Sequence, residues 1–109
     1  MRDLSKRARK DIREVASIAY ERELSAQLVK LQRKFDEWHR KEIDAFQLEQ
    51  AIHVFHDGAA RDLFKRYSPG AVLDHTVAGA VLRGTIQEEE VPETIRDHVM
   101  HLVAAFRSL

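Results

Sequence analysis

A chain of 109 residues without cysteine, with 44% hydrophobic and 33% charged residues, has room for one modest core and no disulfide or thiolate metal site to staple it. Only 4 Gly and 2 Pro leave little turn material, which disfavours a many-stranded β fold. The formal net charge is zero but unevenly placed. Residues 1–41 hold 12 Lys/Arg against 7 Asp/Glu, and residues 42–109 hold 6 against 11. A basic first part and an acidic second part attract each other within a chain or between two copies. Nucleic-acid binding, which usually leaves a domain basic overall, is not expected.

Residues 3 to about 41 read as one long helix: they contain no Gly or Pro and many good helix formers, and Ser5 stands where a cap belongs. Such a helix reaches roughly 55 Å. Leu24, Leu28, Leu31, Phe35 and Trp38 repeat in alternating steps of four and three, a narrow seam of coiled-coil type. Ile12, Val15, Ala16 and Ala19 form a second stripe upstream, centred more than about 100° away around the axis. Two apolar faces in two directions imply a bend near residues 20–24 or two different packing partners. The expectation is that the first half packs on a second copy of the chain, with Ile12, Val15, Ala19 and Leu24 at the interface.

The stretch Ile43 to Tyr67 is the best-marked helix. Asp44 and Gln47 have capping-box spacing, Ile43 and Leu48 that of a hydrophobic staple, and Leu48, Ile52, Ala59 and Leu63 recur at helical intervals. Gly58 lies inside it, at a cost of about 1 kcal/mol relative to Ala unless it serves a kink or close contact. Ser68-Pro69 reads as the start of a third helix, with Ser as cap and Pro at the first helical position. That helix (GAVLDHTVAGAVLR) is apolar nearly all round, so it is expected innermost, with Ala78, Gly79 and Ala80 allowing close backbone approach and Gly84 ending it. Residues 85–91 are an acidic connection with one short turn capped by Thr85. Pro92 opens a last helix in which Ile95, Val99, Leu102, Val103 and Phe106 form one stripe.

The expected architecture is all-α: a single helical domain, residues 1–109, made of a long helix (1–41) and a compact three-helix part (42–109). It is bundle-like and completed by a homodimer. No apolar run approaches the roughly 20 residues of a membrane span, and the basic start is not followed by a signal-peptide core. A cytoplasmic setting without membrane association is expected.

Possible chemistry collects on the central helix. Glu49, His53, His56 and Asp57 fall along one side of it, and His53-x-x-His56 is echoed by His98-x-x-His101 in the last helix. Packed together, two such helices would offer carboxylates and imidazoles for zinc or a two-metal centre. The chain nevertheless has neither the HExxH pair nor the Glu-x-x-His motif of di-iron bundles, so no cofactor is expected. Asp57, Arg61 and Tyr67 with the two histidines could instead form a polar pocket for a small anion or for acid–base work; at i, i+4 Asp57 and Arg61 are also spaced for a surface ion pair. Arg33 to His39 (RKFDEWH) fits the loose Arg-x(4–6)-His pattern of HEPN ribonuclease domains, which resemble the chain in size and helicity. Lys34 stands where that pattern usually has Asn or Asp, and the apolar seam accounts for the segment without catalysis.

Phe55-His56-Asp57-Gly58 with Arg61, Leu63 and Tyr67, followed by Glu90-Val91-Pro92-Glu93, resembles a family of small bacterial all-helical proteins across residues 40–100. That resemblance implies a helical fold and no particular activity. The functional expectation is a non-enzymatic module that self-associates or takes a protein partner. A small-molecule or metal site around Glu49, His53, His56, Asp57 and Arg61, joined by His98 and His101, is the alternative.

Overall fold

The structure, a computed structural model, describes residues 4–68 and 71–109, all-helical with no strand among them. Helix α1 spans Lys6–His39 without a break. Ser5 caps it as expected, its Oγ accepting from the Ala8 N–H at 3.0 Å. The central helix is α2 (Ala45–Phe55), a π-helical turn (His56–Ala60) and α3 (Arg61–Arg66) in continuous right-handed helical backbone. Helix α4 covers Leu73–Leu82 and α5 covers Glu93–Arg107, with a 3₁₀ turn at Glu88–Glu90 between them. Counting the central helix once gives four main helices.

The Asp44–Gln47 capping box forms with both reciprocal hydrogen bonds, at 2.8 and 2.9 Å. Gly58 sits in the π turn, and the spacing of the apolar positions explains the turn. Leu48 and Leu63 are the two buried residues of the central helix, 63 − 48 = 15 positions apart. Four α-helical turns span about 14.4 residues, so a straight helix would carry Leu63 about 60° off the face of Leu48. One wider turn takes up that difference.

Contacts divide the chain into two compact units, one of residues up to Tyr20 with Tyr67–Leu109, the other Glu21–Arg66. The first holds the core. Ala8, Ile12, Val15, Ala16 and Ala19 of α1 pack with Val77, Ala78 and Ala80 of α4 and Ile95, Val99 and Val103 of α5. Ile86 and Val91, from the acidic connection, are fully buried among them. Arg96 holds that connection in place, its Nε donating to the Val91 carbonyl at 3.1 Å. Tyr20 and Tyr67 stack face to face, ring centroids 5.0 Å apart.

This core corrects the expected interface. Ile12, Val15 and Ala19 are 4%, 3% and 0% exposed inside the chain's own core, so they are not available to a second copy. Residues 73–103 supply enough apolar surface to cover the first stripe of α1 within one subunit. The stripe reported that the face is covered; it carried no information about what covers it.

Smaller differences follow from local chemistry. Helix α4 starts at Leu73, with Val72 rather than Ser68 at the cap position. Pro69, the expected first helical residue, lies outside the described residues. The turn at 88–90 is capped by Gln87, whose N–H donates to Glu90 Oε2 at 2.8 Å, rather than by Thr85. Ala78 and Ala80 are fully buried, but a Cβ at Gly79 would meet only the Arg83 guanidinium, so Gly79 permits no close backbone approach. Gly84, at φ 81°, ends α4 as expected.

Candidate functional site

The unit of residues 21–66 is a helical hairpin: the second half of α1, a turn, and the central helix. At the turn Lys41 adopts φ 64°, a left-handed conformation usually given to Gly. Arg40 pairs with Glu42 at 2.8 Å, and its hydrogen bond holds the Glu42 carboxyl below the ordinary range. At the other end Arg66 pairs with Glu23 at 3.0 Å. Two helices cannot enclose an apolar interior, and here they bury only Leu48 and Leu63. Leu28, Val29, Phe35, Trp38, Phe46, Ile52, Val54 and Phe64 remain exposed. Leu24 and Leu31 are half-buried. The seam predicted on α1 is therefore present but open.

One side of the hairpin forms an apolar groove of about 420 Å³. Leu31 of α1 faces Ala51, Val54 and Phe55 of the central helix across it, with Gly58 and Ala59 at the π turn. Lys30, Lys34 and Gln27 give its α1 wall a basic edge.

Of the expected chemical cluster, the central-helix residues lie at the surface. Glu49, His53, His56, Asp57 and Arg61 are all exposed. Asp57 and Arg61 form no ion pair with each other, although they are spaced i, i+4. His101 is exposed and His98 half-buried in the other unit. Among the described residues no group of three or more His, Asp or Glu side chains is placed to hold a metal ion.

His98 has a different partner, Asp74 of α4. The imidazole Nε2 lies 2.9 Å from Asp74 Oδ2, and Asp74 Oδ1 accepts the His75 N–H at 2.9 Å. Asp74 is buried, which pushes its pKa up. Hydrogen bonds from His98 and from the His75 backbone, with the charge of the two imidazoles, outweigh that and leave the carboxyl below its ordinary value. One turn earlier on α5 the Thr94 hydroxyl donates to Asp11 of α1. These two bonds join the first unit's three helices through polar groups, and among the described residues no buried side-chain polar atom lacks a partner.

Asp74 is the residue sequence reasoning missed. The signal was there: a carboxylate within an otherwise apolar, innermost helix needs a partner. Nothing in the spacing, however, selected His98 from six histidines.

Comparison of the chain with protein-family models, with curated proteins and with solved structures finds no match. The functional reading rests on the hairpin and its open face. No helix among the described residues is long and apolar enough to cross a membrane.

Proposed function

We propose that this chain is a non-enzymatic interaction module that self-associates through the apolar face of residues 21–66. The observation that supports this reading is the mismatch within the hairpin. It buries two large side chains and leaves eight others exposed, four of them aromatic (Phe35, Trp38, Phe46 and Phe64). Large apolar side chains left exposed in that number mark a surface that a partner would cover. Two such hairpins make a four-helix bundle, in which each helix can hide a full stripe. The interface thus moves from Ile12, Val15 and Ala19 to the second half of α1, where only Leu24 of the residues first expected remains.

Light scattering and sedimentation over ~1–100 µM test it. The expected result is a monomer–dimer equilibrium shifted at least about tenfold toward monomer by Leu28→Asp with Phe35→Asp. Both sites are exposed, so the helical circular dichroism of the monomer should survive. A wild-type chain that stays monomeric throughout overturns the reading.

A ligand site at Glu49, His53, His56, Asp57 and Arg61 is the second reading. It is favoured by the π turn at His56–Ala60, since such turns recur at functional sites. Titration with zinc or inorganic phosphate, comparing wild type with His56→Ala, tests it. Equal and negligible binding by both removes it.

A further inference from the structure

Resting on the self-association reading, we infer that the groove of the hairpin receives the central helix of a second copy, in a two-fold dimer that sets the basic wall of each groove against the acidic helix of the other. The groove is open at Gly58: nothing lies within 4 Å of where a Cβ there would stand. Its central-helix wall is built from Ala51, Val54, Phe55, Gly58 and Ala59, and the small residues Ala51, Gly58 and Ala59 leave room for another helix beside the larger Phe55. Val54 is 61% exposed, an apolar side chain at the lip with nothing to cover it.

The charge pattern identifies the occupant. Residues 24–35 of α1 carry Lys30, Arg33 and Lys34 and no acid. Residues 42–60, the turn into the central helix and its first four turns, carry Glu42, Asp44, Glu49 and Asp57 and no Lys or Arg. The two walls of one hairpin thus have opposite signs, with Lys34 and Glu42 already paired within it, to Glu37 at 3.2 Å and to Arg40 at 2.8 Å. A two-fold axis parallel to the helices places α1 of each copy beside the central helix of the other, at the height these segments already share within one copy. Lys30 and Lys34 stand level with residues 51–59 in the groove, so they meet the partner segment that carries Asp57. Both contacts form twice, as an isologous interface requires. The opposite stacking, α1 on α1, sets three bases against three bases and is disfavoured.

The experiment measures dimer dissociation by sedimentation for the full chain and three variants: Val54→Asp, Lys30→Glu with Lys34→Glu, and Asp57→Lys. All changed positions but Val54 are charged and solvent-facing, and Val54 is exposed, so the monomer fold should persist. Each variant is expected to dissociate at least about tenfold more readily than wild type. Mixing the Lys30→Glu/Lys34→Glu chain with the Asp57→Lys chain should restore a heterodimer that neither forms alone. A wild-type dimer indifferent to all three, yet broken by Leu28→Asp with Phe35→Asp, overturns the groove and leaves self-association standing. Three weakened variants with no heterodimer on mixing overturn the charge pairing and hence this arrangement. A monomeric wild type removes both inferences.

Discussion

Asp74 shows what a single buried charge does in this molecule. Its carboxylate is desolvated, yet two hydrogen bonds hold its pKa below that of an unfolded aspartate, about 3.9. In the acid range the unfolded chain therefore binds the proton more readily than the folded one, so stability rises with pH there. The contribution is complete above the unfolded value and is lost as pH falls through the folded one. Asp74→Asn should cost about 1.5–3 kcal/mol near neutrality, the range for a hydrogen bond to a charged group. Urea unfolding at several pH values checks this: the gap between wild type and variant should narrow as pH falls below about 4. A gap that stays constant from neutral pH into strong acid would mean that the charge of Asp74 contributes nothing.

The elements differ in how much of them the sequence made legible. The Asp44–Gln47 box was readable because both partners lie within one turn of backbone. The stripe Ile95, Val99, Val103 was readable because period and burial coincide on a helix packed on one side. The stripe on the first half of α1 was readable as a buried face, but its cover comes from residues more than 50 positions away. Ile86 and Val91, buried from within an acidic loop, had no period to announce them. The π turn was hidden too, although the 15-residue interval from Leu48 to Leu63 contained it. Gly58 in that turn has no positive φ and no neighbour where a Cβ would go. Gly58→Ala should therefore stabilise the dilute chain by about 0.4–1 kcal/mol, chiefly by restricting the unfolded state. Denaturant titration at low micromolar concentration reads this directly. A loss of stability there would show that the π turn itself depends on glycine.

For the whole molecule the consequence is uneven stability. One unit has a continuous apolar core drawn from α1, α4, α5 and the connection before α5. The other has Leu48 and Leu63. Because α1 contributes its first half to one and its second half to the other, local opening need not run the full length of that helix. Amide hydrogen exchange in dilute solution should find the slowest amides around residues 77–80 and 95–103, and much faster ones in residues 24–35 and 45–66. If the hairpin is the surface that associates, protection of residues 24–35 and 45–60 should rise with protein concentration, because a partner that binds only the folded hairpin stabilises it in proportion to its saturation. Protection of residues 95–103 should respond far less, since their core is complete within one chain. Uniform protection across both units, unchanged by concentration, would mean that the hairpin holds itself together without a partner, and its exposed Phe35, Trp38 and Val54 would then need another explanation.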